Sequence, residues 1–315
     1  MECTFYEQRD PATGNALILP EKSPFCSSYI ARSLTYVAKP QAREMIARVA
    51  DFLEREKTRG GLWRYWCKDT PRHAEIPADV DDTACISELL RRLGNGAPDN
   101  EDLLLANRSS RGLFYTWMVP RITFSANARW WLTVLSDSTY GRLVTFWRTN
   151  ATHGDIDSVV NANVLLYLGE RSETQQVILW LLATAEAGRE EESDKWYRSR
   201  AAFYYAVSRC YAEGIDQLEG AKEAFGQALS TITHKDGQIG NNALQTSLAA
   251  CAMMNFGFPV EAYTPSLGYL SRTQQTDGGW ESFPLYYAWR SGPIASFGSR
   301  AVTTGFCLEA LARSE

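Results

Sequence analysis

The sequence predicts an all-α chain built from stacked helical hairpins. Two observations carry this. Apolar residues recur at the i, i+3, i+4, i+7 spacing of a helix buried on one face, and no run shows the period-two alternation of a half-buried strand. Glycine- or aspartate-rich turns also precede apolar helices again and again along the chain, at intervals of roughly 40 to 75 residues, the mark of a repeated helical unit.

The helices can be read in order. Ile86, Leu89, Leu90 and Leu93 share one face, and Gly94 supplies a C-terminal stop. Val159 to Leu168, Ala201 to Tyr211, Leu244 to Met254 and Val302 to Leu311 follow the same rule. The turns before them also match. Gly60-Gly61-Leu62-Trp63 precedes Asp79-Val80-Asp81-Asp82-Thr83-Ala84, and Asp236 to Asn242 precedes Leu244-Gln245-Thr246. Asp277-Gly278-Gly279-Trp280 precedes Ala301-Val302-Thr303-Thr304. Such hairpins can stay an open solenoid, form a plain bundle, or close into a ring with apolar inner and amphipathic outer helices. The charged stretch Gly188 to Lys195 reads as a solvated loop. No linker is long enough to divide the chain, so residues 1–315 read as one domain.

Composition narrows the function. Hydrophobic residues make up 45% and charged residues 22% of 315, ample for a globular core. The net charge of −5 argues against a nucleic-acid binder, which would carry a basic stripe. Seven scattered cysteines without a CxxC pair suggest reduced thiols in a cytoplasmic protein. The three histidines, His73, His153 and His234, have no zinc-ligand spacing. Met-Glu-Cys-Thr-Phe at the start has neither the basic nor the apolar block of a signal peptide. The longest apolar stretches, such as Val177 to Ala185, are too short to span a bilayer, although peripheral contact with a membrane stays compatible with the sequence. Ten Trp, 15 Tyr and 13 Phe suit a large apolar pocket as well as a core.

Four stretches resemble a known family. Leu270-Ser271-Arg272-Thr273-Gln274 through Trp280 is similar to the Gln-Trp repeat of squalene-hopene and oxidosqualene cyclases, and Leu53 to Trp63 resembles a degraded copy with Lys57 at the Gln position. Asp236 to Thr246 resembles the glycine turn of the prenyltransferase and squalene-cyclase repeats. Pro77-Ala78-Asp79-Val80-Asp81-Asp82-Thr83-Ala84 resembles the DxDD-Thr-Ala block of class II terpene cyclases. The likeness is thinnest between Asn95 and Asn150. It implies a single α/α toroid with inner and outer helix layers. It also implies proton-initiated cyclisation of a linear polyprenyl chain, one that can carry an aromatic or polar head group. There is room for one toroid, as in the monodomain cyclases that make meroterpenoids.

The residues suit that chemistry. Three crowded carboxylates cannot all ionise cheaply, and burial pushes the same way, so one keeps its proton. A helix N-terminus near Asp82 favours an ionised Asp82 and leaves Asp81 neutral. By the resemblance Asp81 is the general acid, and Asp79 and Asp82 orient it. One aspartate is enough to cap a helix, so an N-cap role alone leaves the others unexplained. Aromatic rings would steady a carbocation. Candidates are Trp63, Tyr65, Trp66, Trp147, Trp196, Tyr197, Tyr204, Tyr205, Trp280 and Trp289.

A second polar cluster, Thr152 to Asp157 with Asn161 and Asn163, reads as another wall of the same pocket. His153 would hydrogen-bond the aspartates, and Asp157 and Asn161 share a helix face. Helix capping by Asp155 or Asp157 is the plainer alternative. Arg198, Arg200 and Arg209 could hold an anionic head group or simply meet solvent. No DDxxD motif is present, so no cofactor is expected; Mg2+ would matter only for a diphosphate head. Two other functions fit a helical ring: a glycosidase pairing Asp81 with Asp157, and a non-catalytic prenyl-binding repeat protein. The oligomeric state leaves no trace in the sequence.

Overall fold

The computed structural model describes every residue except 1–3, 10–13, 15, 97, 124, 138–145, 147–148, 290–293 and 315. Trp147 therefore lies outside the described residues, as does the side chain of Trp289.

In chain order the helices are α1 (Pro24–Leu34), α2 (Pro40–Glu56), α3 (Val80–Arg92), α4 (Glu101–Ala106), α5 (Ala128–Asp137), α6 (Ser158–Leu168) and α7 (Gln175–Glu186). They continue with α8 (Glu190–Ser193), α9 (Arg200–Ala212), α10 (Glu219–Ile232), α11 (Ala243–Asn255), α12 (Val260–Thr273) and α13 (Arg300–Ala312). Six of them form a closed inner ring: α1 packs on α3, α3 on α6, α6 on α9, α9 on α11, α11 on α13, and α13 back on α1. The others lie outside, with α2 on α1, α7 on α6, α10 on α9, and α12 on α11 and α13. The fold is an all-α toroid with two helix layers, as the resemblance implied.

The layers follow from how each helix is covered. An inner helix touches protein all round, so it has no polar face to spare. Every residue of α6, from Ser158 to Leu168, is buried. The outer α10 buries Ala221 and Phe225, and the outer α12 buries Ser266 and Leu270. No helix among the described residues is long and apolar enough to cross a membrane.

The turns repeat one clip. Trp63 Nε1 donates to Leu53 O at 2.8 Å, and Trp280 Nε1 donates to Leu270 O at 3.0 Å. Each indole thus caps the end of an outer helix, ten residues back. The following inner helix then takes a turn N–H on a polar side chain. Thr83 Oγ1 accepts Trp63 N–H, Thr246 Oγ1 accepts Ile239 N–H, and Thr304 Oγ1 accepts Trp280 N–H, at 3.1, 3.0 and 3.2 Å. Asn161 does the same for Phe114 N–H at 2.8 Å. The turns are tight enough to need glycine. Gly237 has φ +91°, and a Cβ there would sit 2.1 Å from the Pro265 carbonyl oxygen.

The absence of strands was not upheld. Four antiparallel strands, β1 (Thr4–Arg9), β2 (Ala16–Glu21), β3 (Pro284–Trp289) and β4 (Ile294–Gly298), form one sheet in the order β2-β1-β4-β3. Tyr287 pairs with Ser296, and Arg9 pairs with Ser296 on its other side. The aromatic run of β3 shows no alternation because it is covered on more than one side. Its Tyr287 N–H also donates to Trp196 O at 2.7 Å.

Candidate active site

A cavity of about 450 Å³ opens at the N-terminal end of α3. Asp79, Asp81 and Asp82 line it together with Phe25, Tyr65, Trp66, Trp117, Trp196, Tyr197, Tyr286 and Phe297. The local sequence dictates how the three aspartates diverge. Asp79 has extended backbone and is the N-cap, its Oδ1 accepting Asp81 N–H at 2.7 Å and Asp82 N–H at 3.4 Å. Asp81 and Asp82 then fall in the first turn and project differently.

Asp81 sits in a set of donors. The Tyr197 hydroxyl donates to Oδ2 at 2.5 Å and the Asn163 amide donates to Oδ1 at 2.6 Å. Asn163 Nδ2 also reaches the Tyr29 hydroxyl at 3.2 Å, while Arg209 Nη2 donates to Asn163 Oδ1. Arg209 is buried with its guanidinium over Tyr205 and Tyr29, 4.7 and 5.6 Å from the ring centroids. Among the described residues no carboxylate comes within ion-pair distance of it.

These contacts rank the carboxyls. Burial raises all three. Asp82 is held well above the usual carboxylate range, by burial first and then by the charges of Asp79 and Asp81, and its Oδ2 finds no hydrogen-bond partner among the described residues. Asp79 is also held well above it, by burial and the charge of Asp81 against two opposing peptide N–H bonds. Asp81 is pushed up by burial to about 6, and the bonds from Tyr197 and Asn163 restrain the rise. The expected ionised Asp82 is therefore not upheld: all three carboxyls are pushed toward the protonated form, Asp82 strongly. The cap is Asp79, and among the described residues Asp82 Oδ2 has no donor to stabilise a charge.

The remaining candidates divide. Trp66 lines the cavity, with Arg72 over its ring at 5.2 Å, and Tyr65, Trp196 and Tyr197 line it too. Trp63 and Trp280 do not; both are the buried clips described above. Tyr204 donates to Glu190 Oε1 at 2.5 Å and stacks on Phe225. Tyr205 donates to Glu309 Oε2 at 3.0 Å. Both belong to the wall between helices, away from the cavity lining. Asn161 is spent on Phe114, donating to its carbonyl as well as accepting its N–H. Asp157 is the N-cap of α6, fully buried and outside the cavity lining, with its pKa raised by burial. That leaves no Asp81–Asp157 pair facing a shared chamber. His153 is exposed and packs on Phe146, 4.3 Å between centroids, so it does not reach the aspartates.

Of the arginines, Arg209 supports Asn163 from inside the core, and Arg200 lies 3.7 Å from Glu190 at the surface. The stretch 188–195 is not a solvated loop throughout: Glu190 and Asp194 are buried, because each accepts hydrogen bonds from the neighbouring segment. Sequence reasoning had no signal for Tyr29, Phe25 or Phe297, which enter the site from distant segments. Among the described residues no cluster of His, Cys, Asp and Glu could hold a metal ion.

No protein-family model matches the chain, and no curated protein matches it in sequence. Solved structures do. A protein from Actinoplanes superposes with a TM-score of 0.71 at 18% identity, covering 99% of this chain and 94% of that one. Apo type II terpene cyclase MstE from Scytonema gives 0.69 at 13%, covering 98% and 92%. A variant of MstE with its substrate, geranylgeranyl dihydroxybenzoate, gives 0.68 at 13%, covering 98% and 91%. Over nearly its whole length, then, the chain shares the fold of a type II terpene cyclase.

Proposed function

We propose that the protein is a class II, proton-initiated cyclase of a linear polyprenyl chain, with Asp81 as general acid. The observation that carries the reading is the position of Asp81. Its carboxyl lines an aromatic cavity while two donors hold it from behind. MstE, which shares the fold, binds a geranylgeranyl chain on an aromatic acid.

The proton leaves Asp81 for a terminal alkene carbon. The alkene π pair forms the new C–H bond, and a tertiary cation develops on the neighbouring carbon. The carboxylate left behind keeps the Tyr197 and Asn163 hydrogen bonds, which strengthen as its charge appears. Arg209 acts through Asn163 and favours the same anion. The cation is passed along the chain by alkene attack, under aromatic faces worth about 0.5 to 2 kcal/mol each. Loss of a proton from the last cation restores neutrality. Trp66, Trp196, Tyr65 and Phe297 are the rings this reading places against the chain. The chemistry requires no redox cofactor, and Mg2+ only where a diphosphate head is bound. The chain acts as one unit, since each inner helix contributes to the ring around the cavity.

The test is incubation of the purified protein with geranylgeranyl dihydroxybenzoate and with free and diphosphorylated farnesyl and geranylgeranyl chains, followed by mass spectrometry. Cyclic product from the wild type and none from Asp81→Asn supports the proposal. Undiminished product from Asp81→Asn ends it. A prenyl chain bound tightly and recovered unchanged points to the binding-protein alternative.

A further inference from the structure

Residues 194–199, between α8 and α9, carry Trp196 and Tyr197 into the cavity wall. Two buried carboxyls hold this segment. Asp157 takes Val159 N–H and Val160 N–H on Oδ1, at 2.8 and 3.1 Å, and Lys195 N–H and Trp196 N–H on Oδ2, at 2.7 and 3.3 Å. Asp194 takes Trp196 N–H and Tyr197 N–H on Oδ1, at 3.1 and 2.7 Å, and Ser199 N–H on Oδ2 at 3.3 Å. Trp196 N–H thus lies between the two side chains.

Both carboxyls have peptide donors on both oxygens, which favours their anions. Burial opposes this and raises both pKa values, that of Asp194 also through the charge of Asp157.

We propose that Asp157 and Asp194 are positioning residues: together they set the 194–199 segment so that the Tyr197 hydroxyl donates to Asp81. The inference rests on Asp81 being the acid. Nearby charges are engaged elsewhere. Lys195 Nζ binds Asp155 and Asn150 O, and Arg200 faces Glu190 and Glu191. The groups around Asp81 itself are Asp79 and Asp82 on α3, Asp157 and Asn163 on α6, Arg209 on α9, Tyr29 on α1, Cys85 one turn on, and Tyr197.

The pair makes an asymmetric forecast. In Asp194→Asn, the amide oxygen still accepts from Trp196 and Tyr197, the two shorter bonds, and only the Ser199 N–H bond is lost. In Asp157→Asn, the NH2 opposes Lys195 N–H and Trp196 N–H, donor against donor. The readout is the protonated-carboxyl infrared band that vanishes in Asp81→Asn, titrated in each variant, which needs no turnover. Tyr197→Phe should raise its midpoint by roughly one unit, a tenfold change in ionisation constant. Asp194→Ala, which removes all three acceptor contacts, should raise it equally, Asp194→Ala with Tyr197→Phe no further, and Asp194→Asn should leave it at the wild-type value. Asp157→Asn should raise it less, because it also removes a charge that raises the Asp81 pKa. An unmoved midpoint in Asp194→Ala, additive shifts in the double variant, or a shift in Asp194→Asn would each overturn the proposal. If Asp194→Ala does not fold, Asp194→Leu takes its place with the same raised midpoint expected. Cyclase failure without these outcomes would strike the proposed activity and leave the clamp standing.

Discussion

Arg209 donates to the carbonyl oxygen of Asn163, so the Asn163 amide has to turn its NH2 toward Asp81. The orientation of a side-chain amide is thereby fixed by a buried cation. One consequence is a coupled pair. Asn163→Leu and Arg209→Met should each reduce kcat at least tenfold with little change in KM. Together they should cost no more than the worse single variant, as a double-mutant cycle on initial rates will show. Asn163→Leu should also lower stability by about 1 to 3 kcal/mol, because it leaves the guanidinium without its acceptor.

The pH dependence of turnover follows from Asp81. On the proposed mechanism the protonated carboxyl is the active form, and burial raises its pKa to about 6. Rate should therefore fall as pH rises through about 6. Tyr197→Phe removes a donor to the anion, so the falling limb should move to higher pH while the plateau drops. A kcat/KM profile of both proteins checks this; a limb that moves to lower pH contradicts it.

Stability should show the opposite face of the same burial. Unfolded, Asp79, Asp82 and Asp194 ionise near the ordinary value of about 4. Folded, each keeps its proton to higher pH. Between those values the native state binds more protons than the unfolded chain, so stability falls as pH rises. Melting temperature should decline as pH rises above the ordinary carboxylate value of about 4, and Asp82→Asn should flatten that decline, measured by scanning calorimetry.

The tryptophan clips should matter to the fold and leave the chemistry alone. Trp280→Phe retains most of the ring but loses the bond to Leu270 O. It should cost about 1 to 2 kcal/mol in urea unfolding, with an unchanged product profile. Trp66→Leu should do the reverse, losing a cavity face and altering product yield at near-constant stability.

Much of this was legible in the sequence, and the failures have physical causes. The inner helices announced themselves through the i, i+3, i+4, i+7 spacing of apolar residues in Val159 to Leu168 and its counterparts. The turns announced themselves through Gly60-Gly61 and Gly278-Gly279. Asp81 stood out because three carboxylates exceed what one helix end needs. Asp157 and Asn161 were misplaced because a cap, a clip and a catalytic group draw on the same residue types, and only tertiary contact distinguishes them. His153 was placed by its neighbours in sequence, yet a single turn carries it to the surface. The strand β3 escaped because its successive residues Tyr286, Tyr287 and Ala288 all line the cavity, so no polar alternation shows.

The sheet joins segments 4–21 and 284–298, which stand far apart along the chain, and Tyr286 and Tyr287 of the second form part of the cavity wall. The cavity wall is thus complete only once these distant segments have paired. Without that pairing Asp81 loses part of its aromatic cover, and a carboxyl open to water ionises near its ordinary value. The raised pKa of Asp81 is in this sense a property of the whole folded chain, carried in part by residues far from it in sequence.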